Sequence, residues 1–349
     1  MKKCIIYPFF DEYYTSINYI ESQNKVKVSK LVKPKGWNLS ESDNLNLECY
    51  DFLESLKAGE IVIILNTKNN SFMHTEIVKN IILALNNRKE VKCFEKLSKN
   101  ELNRIKNIAV MNETIFTYHF KNSIHVSTRF DLMYKPKAIV IGVGKLLNNL
   151  NALSVMCDLA NEYKKNGFFT MVLSNNVNAD LFGFIKIPTK LSVEGFNKFI
   201  EKVERKYHPE ILIIEFPDAI MRYSDYINND FGIYSYIITQ AISIDYFVLL
   251  SCMNQFSMEL FEELNLLSTY RFNCEINNIL LEDYILDEED SNEFYKIVTR
   301  KISSHDLAVQ IDAIHEKVGL GIIKMNSQDA ISKIVKRSID LLSLEVDSF

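Results

Sequence analysis

No stretch of this chain approaches the ~18–20 consecutive apolar residues of a membrane-spanning helix. Its start, MKKCIIYPFFDEYY, is cut by Pro8 and Asp11 before it can form the core of a signal peptide. Both absences predict a cytoplasmic protein with no membrane partner. Six cysteines are present (Cys4, Cys49, Cys93, Cys157, Cys252 and Cys274), and none belongs to a C-x-x-C pair. That spacing excludes the common zinc and iron–sulfur patterns, so no metal site is expected and the thiols read as reduced core residues. No low-complexity tract, internal repeat or G-x-S-x-G elbow occurs, so a hydrolase triad has no anchor.

What is present is a globular composition, 47% hydrophobic and 24% charged over 349 residues, long enough for two domains. The net charge of −5 gives no reason to expect a nucleic-acid partner. It is unevenly spread: residues 1–137 hold 21 Lys+Arg and 15 Asp+Glu, and the remainder holds 19 and 30. A split from +6 to −11 points to two units with different surfaces.

Short aliphatic runs alternate with helix-spaced segments, the mark of βαβ units and a mainly parallel sheet. Strands are predicted at Cys4 to Phe10, Lys25 to Val32 (half-exposed), Ile61 to Leu65 and Val91 to Phe94. Helices are predicted after Asp11, over Glu48 to Leu56 and over Thr75 to Asn86. The alternation restarts at Ala138 to Ile141, then continues through Phe168 to Leu173, Ile211 to Ile214 and Tyr246 to Ser251. Helices fall between these strands, with a last one bearing Ile331, Ile334, Val335, Ile339 and Leu342. The expected organisation is an N-terminal Rossmann-like α/β domain over 1–110, a β-rich connection over 111–135, and a P-loop-NTPase-like α/β domain over 136–349.

The P-loop-like reading starts from IGVGKLLNNLNALS. The strand is expected to stop at Gly142, leaving a loop over residues 142–149 ahead of a helix. A P-loop, G-x-x-x-x-G-K-[ST], surrounds phosphates with backbone N–H groups, and its lysine and hydroxyl serve the phosphates and Mg²⁺. Here the leading glycine is missing and Leu146 stands in the hydroxyl's place. The G-x-G-x-x-G fingerprint fails as well, at Leu147. Two readings stay open: a tight turn, or a degenerate anion loop using Gly142, Gly144, Lys145, Asn148 and Asn149. In HPEILIIEFPDAIM, four aliphatic residues followed by an acid match the strand that carries the Mg²⁺-linked carboxylate in P-loop enzymes. Glu215 or Asp218 would then face the loop. These motifs establish no cofactor, and a nucleotide with Mg²⁺ is the candidate.

The segments IGVGKLLNNLNALS, GFFTMVLSNNVNADLFGFIKIP, HPEILIIEFPDAIM and FGIYSYIITQAISIDYFVLLS, in this order, resemble the peptide maturation system proteins of clostridial clusters. Those clusters make Cys-rich, ranthipeptide-type peptides with a radical SAM maturase. The resemblance covers most of the chain and is clearest from residue 136 to 275. It implies a pathway rather than a reaction: an accessory protein whose partners are the precursor peptide and the maturase. The competing reading is an NTP-dependent ligase, kinase or ATPase with a non-standard phosphate loop.

Weaker signals have simpler readings. His119 and His125 lack an acid or cysteine to complete a metal set, and His208, His305 and His315 are isolated. The basic run Lys25, Lys27, Lys30, Lys33 and Lys35 reads as a solvated strand edge, with an acidic peptide as the other reading. The acidic run Asp287 to Asp290 reads as a solvated loop.

Overall fold

The computed structural model describes the chain apart from residues 35–36, 38–46, 68–70, 120–132, 189–191, 228, 230–231, 253–257, 283, 302–320, 325–328 and 347–349. Lys35, His125, His305 and His315 lie outside the described residues. The chain divides into two compact units: Met1–Ser123 with Asn176–Lys186, and Ile124–Asn175 with Ile187–Phe349.

The first unit is built on strands β1 (Lys2–Tyr7), β2 (Val26–Val32), β3 (Glu48–Cys49), β4 (Ile61–Ile64), β5 (Glu90–Cys93) and β6 (Phe116–Tyr118). They pair parallel in the order β3-β2-β1-β4-β5-β6. This is the doubly wound, Rossmann-like order. β4 is buried along its whole length, as a strand covered on both faces must be, which is why it reads as an unbroken aliphatic run. Helices α1 (Ile17–Asn24), α2 (Phe52–Ser55), α3 (Ser71–Asn86) and α4 (Lys99–Met111) complete the unit. α4 opens on a capping box: the Ser98 side chain accepts from the Glu101 N–H, and Glu101 from that of Ser98.

Four expectations change here, each through a long-range contact. Glu48 to Leu56 is not one helix, because Glu48 and Cys49 pair with Leu31 and Val32, leaving only the single turn α2 beyond Asp51. β2 is an interior strand rather than a solvated edge, flanked by β1 and β3. Lys33, just past its end, is 1% exposed and is held by Asp11 at 2.6 Å and Glu48 at 3.3 Å. β6 lies within the stretch expected to be a connection, yet it pairs with β5 and ends the first sheet. Asn176–Lys186 was expected in the second domain and belongs to the first unit. Its Asn178, fully buried, donates to the Tyr13 hydroxyl and the Asn66 carbonyl and accepts from the Asn66 N–H. Phe182 packs on Tyr13.

The second sheet contains β7 (Ile139–Lys145), β8 (Thr170–Ser174), β10 (Ile211–Ala219), β11 (Tyr246–Ser251), β12 (Asn278–Leu281) and β15 (Gly321–Lys324), while the short β9 (Ile185–Lys186) falls in the segment assigned to the first unit. Within the second unit its order is β15-β12-β11-β7-β10-β8, and these pairings are all parallel. With β7 central, this is a P-loop-NTPase-like α/β arrangement. β13 (Tyr284–Leu286) and β14 (Thr299–Lys301) form a separate antiparallel pair. The helices are α5 (Ala152–Lys165), α6 (Val193–Tyr207), α7 (Ile233–Ala241), α8 (Met258–Phe272), α9 (Glu288–Phe294) and α10 (Ala330–Val346). Among the described residues no helix is long and apolar enough to cross a membrane.

The strand expected to stop before Gly142 does not stop there. β7 runs on through Gly142, Val143 and Gly144 to Lys145. A Cβ on Gly142 would lie 2.9 Å from a ring carbon of Phe247, and one on Gly144 would lie 2.5 Å from another. Phe247 is fully buried, and its ring packs at a tilt on Phe216 with centroids 4.9 Å apart. The two glycines let an aromatic ring lie against the backbone of the central strand, a standard use of glycine inside a sheet.

Candidate functional site

Open parallel sheets bind ligands beyond the carboxyl ends of their strands, where the order of connections reverses. In the second unit the chain passes from β7 to β8 on one side and from β10 to β11 on the other, so the reversal lies between β7 and β11. The loop Leu146–Asn151 stands there, ahead of α5.

Four of its six backbone N–H groups, those of Leu146, Asn148, Leu150 and Asn151, are engaged. The N–H of Leu146 donates to the Leu250 carbonyl, that of Leu150 to Leu147, and that of Ala152 to Leu150. The N–H of Asn148 donates to Asn229 Oδ1 at 2.9 Å, and that of Asn151 to Glu282 Oε1 at 3.0 Å. Asn229 is 1% exposed, and its amide donates to the carbonyls of Leu146 and Met221. Glu282, 6% exposed at the end of β12, places a carboxylate of the chain itself at the N-terminal end of α5, where the helix dipole favours negative charge. Asn151 caps α5 by accepting from Ser154 N–H. Leu147 and Leu150 turn inward and are buried.

The expected site residues fall in separate places. Gly142 and Gly144 are inside β7. Lys145, at its end, donates from Nζ to the Asn148 carbonyl at 3.2 Å. The Asn149 amide donates to Thr299 Oγ1. Glu215 lies within β10 in register with Val143, 7% exposed, and accepts from Ser174 Oγ at 2.5 Å and Asn175 N–H at 3.1 Å. Asp218 accepts from the N–H groups of Tyr234 and Ser235 and from the Ser235 hydroxyl. It caps α7 from β10, a role open because the N-cap residue itself is Gly232. The structure thus brings Lys145 and Asn148 together and gives Glu215 and Asp218 other partners. Sequence reasoning missed Asn229 and Glu282, since no local pattern marks a residue that bonds a loop 81 or 131 positions away. A loop that commits most of its N–H donors to the chain itself, and which offers no hydroxyl after its lysine, is a poor fit for a Mg²⁺–nucleotide.

In the first unit the turn after β1 is where the Rossmann order would seat a pyrophosphate against glycines. It reads Pro8-Phe9-Phe10 instead. Phe9 is fully buried against Tyr14 at 4.9 Å, and Phe10 packs on Tyr13 and Trp37. At the same sheet edge, His74 Nδ1 is 3.5 Å from Glu95 and Nε2 is 3.2 Å from Glu101. The two ring nitrogens face different carboxylates, so one metal ion could not use them together. Among the described residues no group of three or more His, Cys, Asp or Glu is placed to hold a metal. The six cysteines form no disulfide. Burial pushes the Cys4 and Cys93 thiols up to about 12, which makes them poor nucleophiles. His119 stacks flat on Phe94.

No protein-family model matches the chain, and no curated protein matches it. Among solved structures, a DUF1611 family protein from Anabaena variabilis superposes with a TM-score of 0.65 at 10% identity, over 97% of this chain and 100% of that one. That likeness shows a shared two-unit α/β fold. A chloroplast FtsY from Physcomitrella patens (8% identity, 95% of this chain and 98% of that one, TM-score 0.35) fits too loosely to carry an argument. So does a homoserine dehydrogenase from S. aureus (12% identity, 34% and 31%, TM-score 0.26).

Proposed function

We propose that this chain is an accessory protein in the maturation of a ribosomally made Cys-rich peptide. It binds the precursor peptide, a radical SAM maturase or both, and its P-loop-like unit does not turn over nucleotide. The resemblance of the four segments between residues 141 and 251 supports the pathway. One observation supports binding over turnover: the chain's own groups take donors of the β7–α5 loop, Asn229 accepting from the Asn148 N–H and Glu282 from the Asn151 N–H.

The test is reconstitution. Precursor and maturase are produced with and without this chain, and peptide crosslinks are counted by mass spectrometry, while Mg-ATP and Mg-GTP binding is followed by calorimetry. The expected result is a loss of mature peptide without the chain and no nucleotide binding. Unchanged maturation removes the accessory role. Hydrolysis of ATP at ~1 s⁻¹ or faster, an ordinary enzyme rate, removes the binding-protein reading in favour of an NTP-dependent enzyme.

A further inference from the structure

We propose that the outer face of α4, with the turn that follows it, docks an acidic peptide segment carrying apolar side chains. α4 packs inward through Ile105 and Ala109. That contact does not account for Val110 and Met111, which are 77% and 81% exposed, nor for Ile115 in the next turn, which is 59% exposed. Single exposed apolar residues are ordinary, whereas here three fall within six positions of the chain. Arg104 and Met111, seven apart, and Lys106 and Val110, four apart, fall on shared faces of the helix. Two contacts tie the segment after α4 to the α3–β5 turn that carries Arg88. Asn112 donates to Asn86 Oδ1 at 3.1 Å, and the Ile115 carbonyl accepts from Val91 N–H at 2.9 Å.

The charge of the patch is open. Arg88, Arg104 and Lys106 are exposed and make no side-chain hydrogen bond or ion pair among the described residues. Of the nearby acids, Glu90 is bound to Lys2 at 2.8 Å, and Glu101 at the other end of α4 is engaged with His74 and Ser98. Glu113 is the carboxylate within the turn itself. Unpaired cations around apolar side chains complement a partner with acids around apolar side chains, and such complementarity steers encounter and fixes register. The patch offers no aromatic ring for stacking bases. It also lacks the Trp, Phe or Leu that interfacial membrane helices bury. A peptide is therefore the occupant its chemistry favours. This surface is independent of the closed β7–α5 loop and of whether the peptide is a maturation precursor.

The probe is a fluorescein-labelled synthetic peptide of repeated Glu-Glu-Leu-Leu, titrated with the full chain and followed by anisotropy. Binding in the range of about 1–100 μM is expected, weakened by added salt. Arg104→Glu with Lys106→Glu should weaken it about tenfold or more, and Val110→Ser with Met111→Ser should weaken it severalfold. Circular dichroism confirms that these surface variants are folded. No binding at about 1 mM, equal binding by the variants, or tighter binding of poly(U) or of phosphatidylserine vesicles than of the peptide overturns the proposal. Failure in the reconstitution with peptide binding intact removes the pathway and leaves this surface standing.

Discussion

Both units carry a sheet order used to bind phosphate-bearing ligands, and in both the turn that would hold the phosphate is filled by the chain itself. The filling differs. In the first unit it is apolar: Pro8, Phe9 and Phe10 follow β1, and their rings meet Tyr13, Tyr14 and Trp37. In the second it is mostly polar: Asn229, Glu282 and the carbonyls of Leu147 and Leu250 take four of the six N–H donors after β7. An aromatic plug stabilises through buried area and is indifferent to donor geometry. A hydrogen-bonded closure contributes only about 0.5–1.5 kcal/mol per bond, but it costs more when one partner is lost, because buried groups are then left without partners. The same sheet edge can therefore be closed robustly or closed conditionally.

Truncating the apolar plug should have the largest effect. Phe9→Ala removes a fully buried ring and should cost about 3–5 kcal/mol. Trp37, the single tryptophan of the chain, packs on Phe10 in this unit. The loss should thus appear as a lower denaturation midpoint by tryptophan fluorescence, and an unchanged midpoint would deny that the ring closes the turn.

The polar closure gives the next effect. Asn229→Ala leaves the Asn148 N–H and the carbonyls of Leu146 and Met221 without this partner, a loss of about 2–3 kcal/mol. It should appear in far-UV circular dichroism and faster amide exchange at Asn148, with the fluorescence midpoint unmoved. If both probes shift together, the two units do not unfold separately and the comparison fails.

Gly144→Ala tests the packing beneath the polar closure. The added methyl meets the buried ring of Phe247, and overpacking of this kind costs about 1–3 kcal/mol. A neutral or stabilising result would mean that the glycine serves the loop rather than the strand. Glu282→Gln should have the smallest effect, about 1 kcal/mol or less, because the amide oxygen still accepts from Asn151 N–H and only the charge near the helix end is lost. A loss as large as that of Asn229→Ala would show that the charge itself, and not the hydrogen bond, holds the loop.

The sequence by itself determined the aliphatic strands, including Ile61 to Ile64, Ile211 to Ile214 and Tyr246 to Ser251. It also determined the alternation with helices, and hence two parallel sheets. These follow from local periodicity, because a strand buried on both faces must be apolar at every position. Local pattern could not decide what each residue meets across the fold. Gly-Val-Gly-Lys reads as a turn, and it became strand because Phe247, about a hundred residues on, lies against it. Glu215 or Asp218 reads as a Mg²⁺-linked carboxylate facing the loop, and the two became partners of β8 and α7 because Ser174 and Ser235 offered donors. The same holds for Asn176–Lys186, whose membership of the first unit rests on Tyr13 and Asn66. Only tertiary structure decided these, since hydrogen bonds and ring packing depend on distance in space, while a sequence pattern records only distance along the chain.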